Sequence, residues 1–77
     1  MKVRLFTKPE CSLCNDAQKW LHDLQTVVPH QLILIDIEQD AVLNHKYGER
    51  IPVLKAGPYT LEAPFDEVDL RITLLSA

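Results

Sequence analysis

Val3 and Leu5 alternate with Lys2 and Arg4 and run into Phe6, the period-two pattern of a strand with a buried face, and that strand ends near Thr7. Pro9 breaks it. Beyond the break, Leu13, Ala17, Trp20, Leu21, Leu24 and Val28 recur at three- and four-residue spacings, one apolar stripe along a helix that begins near Cys11 and ends before Pro29. Gln31 to Ile37 is nearly all aliphatic and β-branched. Such a run predicts a strand covered on both faces, as parallel strands joined through a helix usually are. Strand, helix and strand together make a βαβ unit.

Asp40 is placed to cap a short helix through Tyr47, with Gly48 as its C-terminal stop. Ile51-Pro52 opens a third strand, Val53 to Ala56, and Gly57-Pro58 supplies a tight turn into Tyr59 to Glu62, so the third and fourth strands should form an antiparallel hairpin. After Pro64, Asp66 reads as an N-cap with Asp69 in the reciprocal position. Val68, Ile72 and Leu75 then form a stripe at i, i+4 and i+7, the expected buried face of a closing helix. The order β-α-β-α-β-β-α predicts a small α/β sheet with helices packed on it.

Length changes this picture little: 77 residues hold one domain, spanning residues 1–77, without linker, repeat or low-complexity segment. With 47% hydrophobic residues the chain should fold, and its longest aliphatic run, Leu32 to Ile35, is far short of the ~18 apolar residues of a spanning helix. No signal peptide is evident at the N-terminus, and the expectation is a cytoplasmic, monomeric protein without membrane association. The net charge is -3, with four cations against three acids up to His30 and four against eight thereafter, which argues against nucleic-acid binding.

The chemistry concentrates in Thr7-Lys8-Pro9-Glu10-Cys11-Ser12-Leu13-Cys14, where the first strand gives way to the first helix. A bond between cysteines three positions apart closes too small a loop to stabilise a fold, so the pair is there for reaction or for metal. At a helix N-terminus the free N–H groups and the positive end of the dipole favour an anion, and Lys8 adds a nearby positive charge. Cys11 should therefore have a lowered thiol pKa and attack, while Cys14, deeper in the first turn, resolves the mixed disulfide. A Cys2His2 zinc site is the alternative reading of the pair. However, His22 and His30 are spaced wider than the usual three to five residues and His45 lies further off, so all three read as surface histidines.

Leu5 to Cys14 resembles the first strand and active-site loop of the small glutaredoxin-like proteins of the thioredoxin fold, and Arg50-Ile51-Pro52-Val53-Leu54 resembles their cis-proline strand. The resemblance implies a thioredoxin-like α/β fold, a four-stranded mixed sheet with helices on both faces. It also implies a cis Ile51–Pro52 bond beside the dithiol, a substrate chain pairing with the backbone of Ile51, and Lys8, Ile51 and Pro52 as substrate-binding residues. The implied activity is a thiol-disulfide oxidoreductase, acting on protein or small-molecule disulfides through Cys11 and Cys14 and contributing to cell redox homeostasis. Its partners would be disulfide-containing proteins, with glutathione or a thioredoxin-reductase-type donor as reductant and no bound cofactor.

Two positions depart from that pattern. Ser12-Leu13 stands where typical glutaredoxins carry Pro-Tyr and thioredoxins Gly-Pro. Ala63-Pro64-Phe65-Asp66 stands where glutaredoxins hold the γ-glutamyl end of glutathione with a Gly-Gly turn followed by an acid. Pro64 has no N–H to donate, so weaker glutathione binding is expected, and Asp66 reads as a helix cap before it reads as a ligand. Trp20 reads as packing, Tyr47 as cover for the end of the second helix, and Glu62, Asp66, Glu67 and Asp69 mostly as acids welcomed at a helix start. Two other functions stay open on the sequence: a module using Cys11, with or without glutathione, to hold an iron–sulfur cluster, and a thioredoxin-fold interaction domain without catalysis.

Overall fold

The computed structural model describes residues Met1–Ala77. Strand β1 (Lys2–Thr7) leads into helix α1 (Ser12–Asp23), β2 (Gln31–Asp36) into α2 (Ala41–Tyr47), and the hairpin β3 (Val53–Ala56) and β4 (Tyr59–Glu62) into α3 (Glu67–Ser76). The strands form one mixed sheet in the order β2-β1-β3-β4. β1 runs parallel to β2, with Phe6 opposite Ile35, and antiparallel to β3, with Leu5 opposite Leu54.

The alternation read in β1 divides the core into two. Val3 and Leu5 point to the face covered by α1 and α3, where Ala17, Leu21, Leu24, Leu54, Ala56, Phe65, Leu70 and Leu74 are buried with them. Phe6 points to the other face and packs with Val53, Ile37 and Tyr47 under α2. Helices therefore cover both faces of the sheet, and β1 and β3, hydrogen-bonded on both sides, are its interior strands.

Three elements differ from the pattern-based expectation. Helix α1 ends at Asp23 and tightens into a 3-10 turn at Leu24–Thr26, so Val28 reaches the core from the loop that follows. β2 is an edge strand, and its aliphatic run is only partly covered: Leu32, Ile33 and Ile35 are half-buried and Leu34 is exposed. The largest correction concerns α3. Val68, Ile72 and Leu75 face solvent at 61%, 59% and 61% exposure, while Leu70 and Leu74 fill the core at 0% and 1%. The helix carries two apolar stripes, and the start set by Asp66 together with the buried Phe65 just before it turns the leucine stripe inward.

Turn chemistry follows the sequence at Gly57, whose φ of +56° supplies the left-handed backbone of a two-residue hairpin turn. At Gly48 the reason is closeness rather than handedness: its φ is -51°, and a Cβ there would lie 2.5 Å from the Asn44 carbonyl oxygen. The Ile51–Pro52 peptide is cis, and so is Ala63–Pro64, which nothing in the sequence singled out. The Ala63 N–H reaches the carbonyls of Pro52 at 3.1 Å and Arg50 at 3.3 Å, tying the end of β4 to the loop before β3. No helix is long and apolar enough to cross a membrane.

Candidate active site

After β1 the chain turns to one face of the sheet as α1, and after β2 it turns to the other as α2. In α/β sheets a crevice opens outside the strand ends at such a divergence. The loop Lys8–Cys11 sits there. Glu10 takes φ 59°, a left-handed conformation costing a residue with a side chain about 1–2 kcal/mol. Cys11 follows with extended backbone as the N-cap of α1, and its Sγ accepts the Cys14 N–H at 3.2 Å. Sulfur thus takes the place of the usual capping oxygen. The first turn of α1 contains no acid, so no side-chain carboxylate on that turn offsets the dipole at the sulfur.

Cys11 and Cys14 are joined as a disulfide, with their Cα atoms 5.2 Å apart. Their surroundings differ. Cys11 is half-buried and lines a cleft of about 510 Å³, whereas Cys14 is 1% exposed and lies within the protein. A reagent approaching from solvent meets Cys11 first.

The cleft is walled by Lys8, Glu10, Ser12 and Leu13 from the α1 side and by Gly48, Glu49 and Ile51 from the α2–β3 connection. Of the residues the sequence singled out, Lys8, Cys11 and Ile51 share this cleft, Cys14 is buried behind its partner sulfur, and Pro52 is fully buried next to Ile51. Asp66 is elsewhere: its carboxylate accepts the Asp69 N–H at 2.9 Å and its own N–H donates to Asp69 at 3.0 Å, a complete capping box. Trp20 is half-buried against the main core. His22 and His45 are exposed as expected, whereas His30, expected at the surface, is half-buried, with Nδ1 2.7 Å from the Val28 carbonyl oxygen. Glu10 and Glu49 escaped the sequence reading. Glu10 is adjacent to Cys11 and was legible in principle, but nothing in the spacing brings Glu49 to Cys11 before the chain is folded.

Behind the α2–β3 connection, Tyr47 stacks on Phe6 with centroids 4.8 Å apart, anchoring the end of α2 to the sheet. The Lys55 and Lys46 ammonium groups lie 5.8 and 5.1 Å from its ring centroid. The neighbouring Lys55 ammonium is the main cause that holds the Tyr47 phenol below its ordinary pKa of 10.0, against a smaller opposing effect of burial.

A β2-β1-β3-β4 mixed sheet with helices on both faces, and a two-cysteine disulfide at the head of the helix after β1, define a thioredoxin-fold protein. Residues 2–75 match the family model described as Glutaredoxin-like domain (DUF836), and the chain belongs to that family. Target protein XcR50 from X. campestris has 32% sequence identity in its X-ray structure, with a TM-score of 0.84 and 97% of each chain covered. Thioredoxin O2 from Arabidopsis thaliana in its oxidized state is similar in fold, with a TM-score of 0.73 and 21% identity over 97% of this chain and 72% of that one. No functionally curated protein matches the chain.

Proposed function

We propose that the protein is a thiol-disulfide oxidoreductase in which Cys11 is the nucleophile and Cys14 the resolving thiol. One observation carries the reading: the accessible sulfur caps a helix at the floor of a cleft, and its bonded partner is buried within reach. In the reduced form the Cys11 thiolate attacks one sulfur of a substrate disulfide, whose S–S bond breaks and releases one half as a thiolate. The Cys14 thiol loses its proton and displaces the second half from Cys11, leaving the Cys11–Cys14 disulfide and two substrate thiols. An external thiol donor, glutathione or a thioredoxin-reductase-type protein, returns the two electrons. Helix dipole and Lys8 together favour the Cys11 thiolate.

Ile51 offers its backbone to an extended substrate across the cleft from Cys11, with Pro52 holding that segment in place. The substrates would be disulfide-containing proteins, and the setting a reducing compartment such as the cytoplasm, where a dithiol of this kind serves redox homeostasis. Pro64 cannot present an N–H where a glutathione-binding turn would, so the two-cysteine route to protein disulfides is the main activity in this reading.

Mixing reduced Cys14→Ser protein with a disulfide peptide tests the assignment. A stable mixed disulfide at Cys11, found by intact mass, is expected, and Cys11→Ser should form none. Equal trapping by both variants, or by neither, would remove the nucleophile assignment. Efficient monothiol turnover of a glutathionylated peptide by Cys14→Ser would instead restore an ordinary glutaredoxin reading.

A further inference from the structure

We propose that the dithiol cleft sorts disulfides by charge, admitting those flanked by cationic or neutral groups and disfavouring those that carry carboxylates, with Glu10 and Glu49 as the specificity-determining residues. The inference rests on the redox reading above. Two acidic residues from separate segments, Glu10 and Glu49, and one basic residue, Lys8, line the cleft that holds Cys11. Neither carboxylate is neutralised by an ion pair: the two in the structure join Arg50 to Glu62 at 3.6 Å and Arg71 to Glu67 at 3.9 Å.

Of the neighbouring cations, only Lys8 lines the cleft that holds Cys11. A polar hollow of about 390 Å³, which Gly48 and Glu49 also line, is bounded by Asn44, His45, Lys46 and Arg50. There Arg50 is engaged with Glu62, and the Lys46 ammonium lies 5.1 Å from the Tyr47 ring centroid. Reduction adds the Cys11 thiolate to the negative groups of the cleft. Glu10, in a left-handed backbone conformation, immediately precedes the N-cap residue Cys11. A carboxylate-bearing disulfide therefore approaches against like charge, and an ammonium-bearing one is drawn in. At exposed carboxylates each contribution is modest, about threefold in rate, and salt weakens it.

The experiment uses reduced protein freed of its reductant and three small disulfides: cystamine, bis(2-hydroxyethyl) disulfide and dithiodipropionate. In each reaction the protein goes from dithiol to disulfide as the reagent goes from disulfide to two thiols. Dividing each rate by that of the neutral thiol 1-thioglycerol with the same reagent removes intrinsic reactivity, and the neutral reagent reports any change in the Cys11 thiolate fraction. The normalised rates should fall in the order cation, neutral, anion. The cation-to-anion ratio should drop about threefold in each of Glu10→Gln and Glu49→Gln, and toward one in concentrated salt. A wild-type ratio near one, an anion preference, or a ratio that both variants leave unchanged would overturn the charge-sorting cleft and leave the redox function standing. No reaction with any of the three reagents would overturn the redox reading and this inference with it.

Discussion

Helices α1 and α3 pack on the same face of the sheet and begin in opposite ways. α3 starts with a complete capping box, Asp66 and Asp69 exchanging hydrogen bonds at 2.9 and 3.0 Å, and it has Glu67 and Asp69 in its first turn. Its free N–H groups and its dipole are answered by carboxylates. α1 has no acid in its first turn and is capped by the sulfur of Cys11 at 3.2 Å. A capping carboxylate stabilises a helix by about 1 kcal/mol, and α1 forgoes it. What that helix start gains is a positive dipole end directed at a sulfur that faces a cleft. The difference separates a helix start whose dipole is met by carboxylates from one whose dipole is met by a sulfur, as the proposed reaction requires.

Five substitutions test this contrast, in descending order of effect. Cys11→Ala should abolish disulfide reduction, a loss of more than about a thousandfold in turnover, because no other sulfur faces the cleft. Insulin reduction with a thiol donor measures it. Residual turnover near the wild-type level would erase the functional half of the comparison.

Leu74→Ala should cost about 2–5 kcal/mol in urea unfolding, since it opens a cavity beneath α3. Ile72→Ala, on the exposed stripe of the same helix, should change stability by less than about 1 kcal/mol. Equal losses would mean that α3 buries a different face. Asp66→Ala should cost about 1 kcal/mol by the same measurement and leave disulfide reduction intact. A loss of redox activity would show Asp66 to be more than a cap.

The smallest effect comes from giving α1 what α3 already has. Ser12→Asp puts a carboxylate into the first turn beside Cys11, and it should raise the thiol pKa of the reduced protein by roughly half a unit or more, read from thiolate absorbance against pH. In the parent protein that pKa should lie below the free value of about 8.5. A parent value at the free level, or no response to Ser12→Asp, would mean that the dipole is not what activates the sulfur.

Local pattern was enough to read the element order, the Asp40 and Asp66 caps, the turn at Gly57 and the dithiol at a helix start. Each of these depends on residues within a few positions of one another: a side-chain oxygen and the N–H two or three residues on, or a φ that glycine reaches freely. The same local information left α3 ambiguous. Val68, Ile72 and Leu75 satisfy helical periodicity as well as Leu70 and Leu74 do, and only docking against α1 and the sheet decided which set turned inward. β2 likewise reads as a fully covered strand by composition, yet the sheet order leaves it at an edge.

At the site, the sequence by itself determined the cysteine pair and the cation beside it, because all lie between Lys8 and Cys14 on one strand-to-helix turn. On the opposite wall, Ile51 was implied by the family resemblance, and tertiary structure alone decided Gly48 and Glu49. Gly48, Glu49 and Ile51 are more than thirty residues from Cys11 along the chain, and they reach it because β3 pairs antiparallel with β1, Phe6 opposite Val53, which carries the start of β3 back to the end of β1. Spacing along a chain encodes contacts within a turn or a strand. Contacts between elements depend on which faces the whole core can bury at once, and that is how Glu49 comes to share the cleft with Lys8 and Glu10.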